Sequence, residues 1–154
     1  MQLEQMYQQV IMDHYKHPHG KGLRDPFDVE VHHVNPTCGD EITLRVKLGG
    51  SGEAVAVEDV SFEGQGCSIS QASASVMFDQ VEGTSLTEAL RANEEFSALM
   101  QSAVQDQELD EELLGDAIAF SGVAQYPARI KCALLAWMAF KDAASQALAK
   151  EQTS

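Results

Sequence analysis

The chain has 154 residues, of which 44% are hydrophobic and 22% charged, with only 4 prolines. That suits a folded domain with a modest core and excludes a largely disordered chain. The formal net charge is −14, from 24 acidic and 10 basic residues, which argues against non-specific binding to nucleic acid or to an anionic membrane, because phosphates repel it.

The first residues, Met1 to Gln5, lack a basic start followed by an apolar run, and no stretch is long and apolar enough to span a bilayer. The expectation is a cytoplasmic protein. Leu3, Met6, Tyr7, Val10, Ile11 and His14 recur at helical spacing, so residues 2–16 read as an amphipathic helix that stops before Pro18 and Gly20. Residues 17–27 hold His17, Pro18, His19, Gly20, Gly22 and Pro26 and read as a loop. A first strand is expected near 28–34. Ile42, Leu44, Val46 and Leu48 then alternate with Glu41, Thr43, Arg45 and Lys47, as in a strand with one buried and one wet face. After a glycine-rich turn at 49–52, a third strand begins with Val55 and Val57 and resumes at Val60 and Phe62. The apolar phase slips by one residue at Glu58-Asp59, which predicts a bulge.

From Ser68 the pattern is helical. Residues 68–81 are rich in Ser and Ala, with Ile69, Ala72, Val76 and Met77 toward the core. Ser85 caps an expected helix over 86–104, anchored by Leu86, Leu90, Phe96, Leu99 and Met100. The stretch 83–116 has nine acidic residues against Arg91 alone and reads as a solvated, acidic helical insertion. The last helix should start at Pro127, a residue suited to a first helical position, and run to about Ala149. The predicted fold class is α+β: a three-stranded antiparallel sheet with helices packed on one face, in one domain over 1–150 with a tail at 151–154.

The three cysteines do not suggest a disulfide framework; in a reducing compartment they are packing residues, catalytic thiols or metal ligands. Each falls at a junction between elements, where sites are usually built. Cys38 lies in the turn Asn35-Pro36-Thr37-Cys38-Gly39-Asp40, Cys67 follows Gly64-Gln65-Gly66 where strand gives way to helix, and Cys132 lies in the first turns of the last helix. A thiolate at a helix N-terminus is stabilised by free N–H groups, and Cys67 has that setting. Arg129, three residues before Cys132, would stabilise a thiolate or persulfide there. Cys38, Asp40, Cys67 and Cys132 would give four anionic ligands for a tetrahedral zinc. An isolated cysteine is nonetheless more often buried packing than a ligand, so the spacing alone leaves both readings open.

His14, His17 and His19 sit close in sequence, but surface or packing roles are favoured over metal binding. For His32 and His33, one of which shares a sheet face with Val29 or Val31, a core or supporting role is favoured over ligation. Trp137, Met138 and Phe140 read as core rather than a cofactor pocket.

The three cysteine motifs, the third being Tyr126-Pro127-Ala128-Arg129-Ile130-Lys131-Cys132, together resemble the IscU/NifU-type iron–sulfur cluster assembly superfamily. The start, Met6-Tyr7 through Asp13-His14-Tyr15-Lys16-His17-Pro18, is similar to that family too. Scaffold members carry His immediately before the third cysteine, where this chain has Lys131. The third motif also lacks the Pro-Pro-Val-Lys signature, which argues against dependence on a dedicated Hsp70 system. The lysine and the longer segment between Cys67 and Cys132 resemble the SufU branch.

That resemblance implies zinc held by Cys38, Asp40, Cys67 and Cys132, and a zinc-dependent sulfurtransferase that takes persulfide sulfur from a SufS-type cysteine desulfurase. It implies that a desulfurase histidine displaces Cys38 from the zinc, and that Cys38 is the sulfur acceptor with Arg129 beside it. Other cluster assembly proteins are implied as further partners. The alternatives are a scaffold that transiently binds iron as a 2Fe–2S cluster, and a purely structural zinc domain.

Overall fold

The structure, a computed structural model, describes residues 3–37, 39–50, 52–101 and 111–152. Helix α1 (Leu3–Lys16) leads through a loop into strands β1 (Val29–Asn35), β2 (Asp40–Gly49) and β3 (Ala56–Gln65), with a 3₁₀ turn at Gly52–Ala54. Helices α2 (Ser68–Val81), α3 (Leu86–Gln101) and α4 (Glu111–Leu114), a 3₁₀ segment (Gly115–Gln125) and α5 (Pro127–Gln152) follow. The strands form an antiparallel sheet in the order β1-β2-β3, the meander expected from their short connections.

The alternation in β2 decides which face is covered. Ile42, Leu44, Val46 and Leu48 are buried, and the residues between them are half-exposed. Burying each such aliphatic side chain is worth about 1.5–3 kcal/mol. α5 lies on β1 and β2, and α2 on β3 and α5. The register shifts where Lys47 faces Asp59 and Leu48 faces Val57, so Glu58 is the extra residue. That bulge lets Val57 and Val60 both point into the core despite their odd spacing. The outer edge of β3 is not left bare: Gly22 N–H donates to Phe62 O at 2.7 Å, and Phe62 N–H to Gly20 O at 3.1 Å.

Small residues set the closeness of α2 to α5. Ala72, Ser73, Ala74 and Ser75 are buried on α2, and Ala133, Ala136 and Ala139 on α5. Ser73 Oγ donates to Ala133 O at 2.6 Å and accepts Trp137 Nε1–H at 3.0 Å. Trp137 is fully buried and stacks on Phe96, with ring centroids 4.5 Å apart; it and Phe140 are core, as expected, whereas Met138 is 57% exposed and is not.

Ser85 caps α3 as expected, its Oγ accepting Glu88 N–H at 3.1 Å. The expected end of that helix, residues 102–104, lies outside the described residues, as does the acidic stretch to residue 110. Within the expected acidic insertion, α3 buries Ala89, Ala92, Phe96, Leu99 and Met100, and turns Glu88 and Glu94 outward. The acidic residues coat a helix that is itself part of the core. His33 shares the inward face of Val31, and its Nε2 lies 2.8 Å from Asp142 Oδ2 on α5. Hydrogen bonds from His33 and Gln146 hold the Asp142 carboxyl below its ordinary range. No helix of the described residues is long and apolar enough to cross a membrane.

Candidate metal centre

Three element ends meet at one point. Asn35 and Asp40 pair across β1 and β2, and Gly39 N–H donates back to Asn35 O at 2.9 Å, closing the turn between them. Gly39 takes φ +71°, a conformation that suits glycine. Cys38, the expected sulfur acceptor and ligand, lies outside the described residues.

Asp40 opens β2 on the inward face and is fully buried. A buried carboxylate is costly unless its charge is compensated. Its Oδ1 accepts the N–H of Cys67 at 2.9 Å, and its Oδ2 lies 3.9 Å from Cys67 Sγ. Cys67 is the N-cap residue of α2 and makes no side-chain cap bond. Its sulfur and the Asp40 carboxylate therefore sit at the positive end of a helix. Ser70 Oγ lies 3.8 Å from Cys67 Sγ and donates to Cys67 O at 3.0 Å.

Cys132 is buried on α5, with its Sγ 3.7 Å from Ala128 O. Asn35 Nδ2 donates to the same sulfur at 3.8 Å. One ligand atom each from Asp40, Cys67 and Cys132 lie within 4.8 Å of one another. Ligand atoms on a tetrahedral zinc stand roughly 3.5–3.8 Å apart, given Zn–S and Zn–O bonds of about 2.3 and 2.0 Å. A shift of under about 1 Å would bring these three into that geometry. Two thiols and a carboxylate are donors that select zinc or an iron–sulfur centre over magnesium or calcium. The residues fit the metal.

Gly66 leaves room for this arrangement. A Cβ there would run into Asp40 Oδ1 and stand 2.7 Å from Ser70 Oγ. Gly66→Ala must push the carboxylate aside, and overpacking of this kind costs about 1–3 kcal/mol. The expected result is a lowered thermal midpoint together with at least tenfold weaker zinc binding, read by chelator competition. An unchanged zinc affinity would show that Asp40 is not held by this contact.

Arg129 is exposed and lines a cleft of about 300 Å³ with Glu4, Tyr7, Ile69 and Tyr126. Of its lining residues, Ile69 follows Cys67 by two positions and Arg129 precedes Cys132 by three. The structure also draws in Asn35, Gly66 and Ser70, which the sequence reading gave no role. Asn35 and Gly66 belong to the quoted motifs and Ser70 follows Cys67 by three residues, so the signal was present without a chemical reason attached.

Among the histidines, His14 is buried while His17 and His19 are exposed. His32 is on the outer face of β1, its Nδ1 3.2 Å from Thr43 Oγ1. The described residues of this centre include no histidine.

The chain matches the family described as NifU-like N terminal domain over residues 6–133. It is 47% identical to the "Zinc-dependent sulfurtransferase SufU" of Bacillus subtilis (strain 168) over 97% of this chain and 94% of that one. It is 44% identical to the "Iron-sulfur cluster assembly scaffold protein IscU" of Streptococcus pyogenes serotype M1, over 92% of this chain and 84% of that one. The fold matches the crystal structure of an iron–sulfur cluster assembly scaffold protein for the SUF system (FiSufU) from Fervidobacterium islandicum AW-1, with a TM-score of 0.73 and 36% identity over 93% of this chain and 99% of that one. With three converging ligands at its element ends and these relatives along nearly its whole length, the chain belongs to the IscU/NifU superfamily of iron–sulfur cluster assembly proteins, in its SufU branch.

Proposed function

We propose that this chain is a zinc-dependent sulfur acceptor, taking persulfide sulfur from a SufS-type cysteine desulfurase for iron–sulfur cluster assembly. The observation that supports it best is the convergence of Asp40, Cys67 and Cys132 within 4.8 Å, beside the turn that includes Cys38. Those three and Cys38 would hold the ion. Zinc, when bound, keeps thiols deprotonated at neutral pH without redox chemistry of its own.

Cys38 is the acceptor in this reading because its turn is bounded by Pro36 and Gly39, whereas Cys132 is buried on a helix. The Cys38 thiolate attacks the outer sulfur of the desulfurase persulfide. One S–S bond forms on Cys38, the S–S bond of the desulfurase breaks, and that enzyme leaves as a thiolate. No electrons are gained or lost overall. Arg129, exposed and three residues before Cys132, stabilises the persulfide anion formed on this chain. Lys131 in place of a histidine leaves the centre without the extra ligand of the scaffold type.

The relatives named IscU favour a second reading, in which the same residues hold a transient 2Fe–2S cluster. Metal content of the purified chain, paired with its activation of a cysteine desulfurase before and after chelation, separates the two. About one zinc per chain, with activation lost on chelation, is the expected result. Iron with acid-labile sulfide, or no effect on the desulfurase, would overturn the sulfur-acceptor reading in favour of the scaffold.

A further inference from the structure

A second group of metal-ligating side chains lies away from the cysteines. His14 lies in the last turn of α1, His19 follows in the loop, and Asp79 sits on α2 sixty residues after His19. One ligand atom from each lies within 4.8 Å of the others. The two imidazole rings stand 5.0 Å apart between centroids. His19 Nδ1 is 2.9 and 2.8 Å from the two oxygens of Asp79.

The surroundings of His14 select one of its nitrogens. Nε2 faces Asp116 Oδ2 at 2.9 Å, and a carboxylate can only accept, so in the neutral ring the proton is on Nε2. Nδ1 is then the lone-pair nitrogen, and it faces Ser75 Oγ at 2.7 Å. That hydroxyl also accepts His19 N–H at 2.8 Å, which draws the loop onto α2. An imidazole whose other N–H is given to a carboxylate is the usual arrangement of a metal-bound histidine. Asp116 occupies that supporting position here. His14 is buried, while the side chains of His19 and Asp79 are 51% and 31% exposed. The group thus has a fixed inner ligand, two ligands at the surface, and a face open to solvent.

We propose that His14, His19 and Asp79 form a second, exchangeable site for a divalent transition ion such as zinc, cobalt or nickel. Two imidazoles and one carboxylate are borderline donors that suit those ions, whereas magnesium and calcium prefer sites built from oxygen alone. Binding requires the Ser75 hydroxyl to turn from Nδ1, and a helical serine can turn it toward a carbonyl one turn earlier. The net charge of −14 raises the local concentration of cations around the site. A bound ion would fasten α1, the loop and α2 together, and so would stabilise the fold by mass action.

The inference is independent of the sulfur-acceptor reading and is tested by cobalt titration of the full chain. A thiolate site shows sulfur-to-cobalt charge-transfer absorption; a nitrogen and oxygen site shows only d–d bands. Wild type is expected to take two equivalents, the second adding d–d absorption without further charge transfer. His19→Gln and Asp79→Asn, both at the surface, are each expected to weaken the second equivalent at least tenfold and to keep the first. Cys67→Ser is expected to weaken the charge-transfer band and to leave the second equivalent in place, so failure at the cysteine centre is read separately. A second equivalent that is absent from wild type, or retained in either surface variant, would overturn the proposal.

Discussion

Cys38→Ser protein is expected to accept less than a hundredth of the sulfur that the wild-type chain takes from a desulfurase persulfide. The readout is labelled sulfur bound per chain after a single exposure. The reason is chemical. A thiolate is a strong nucleophile toward a persulfide, and the disulfide bond it forms is stable enough to survive transfer. A serine hydroxyl is neutral at pH 7 and forms no comparable bond to sulfur. A hundredfold loss corresponds to about 2.7 kcal/mol on the transfer barrier. The same variant keeps Asp40, Cys67 and Cys132, whose ligand atoms lie within 4.8 Å of one another. Its zinc affinity should therefore fall without vanishing. A purely structural zinc domain predicts the reverse split, a lowered thermal midpoint with sulfur uptake undiminished, and that result would sink the assignment of Cys38.

The largest effect on stability is expected at Trp137. Its ring is fully buried and lies nearly parallel to Phe96, which in turn meets Phe120 edge-on at 5.9 Å. Truncating a buried Trp to Ala typically costs about 3–5 kcal/mol. For a chain of this size each kcal/mol moves the midpoint by roughly 2–4 °C, so a drop on the order of 10 °C is expected in a thermal melt.

The consequence reaches the metal centre. Ser73 ties α2 to α5 by bonding both Ala133 O and Trp137 Nε1. Cys67 stands at the start of α2, and Cys132 precedes Ala133 on α5. Loosening that tie should let the two thiols drift apart and weaken zinc binding, read by chelator competition at a temperature where the variant is folded. Trp137→Phe keeps a ring on Phe96 but loses the N–H, and should show a smaller drop in both readouts. Undiminished zinc affinity in a folded Trp137→Ala would mean that this tie does not set the geometry of the centre.

Local pattern was enough for much of the fold. Strict alternation in β2 fixes which side chains are buried, because a strand turns every second residue to the same face. The one-residue slip at Glu58-Asp59 marks the bulge for the same reason. α2 begins and ends where the Ser- and Ala-rich helical pattern does, and Ser85 caps α3 through its own hydroxyl. These are short-range effects, legible because each depends only on neighbours in the chain. The 3₁₀ segment at Gly115–Gln125 was not legible. Its shape depends on packing against α1 and α3, and it has no strong period of its own.

The cysteine motifs offered candidate ligands at element junctions, and the resemblance they carry named the family. What spacing could not decide is whether the residues meet. Asp40 reaches Cys67 across 27 positions and Asn35 reaches Cys132 across 97, and only the docking of α2 and α5 on the sheet closes those gaps. Asp79 beside His19, and Asp116 behind His14, are still less readable, at separations of 60 and 102. Sequence alone determined the three strands, the longer helices and the family, because period and motif are local properties. Only the tertiary structure decided which donors share a point in space, because that depends on how closely small side chains let α2 approach α5 and how the loop after α1 lies against α2.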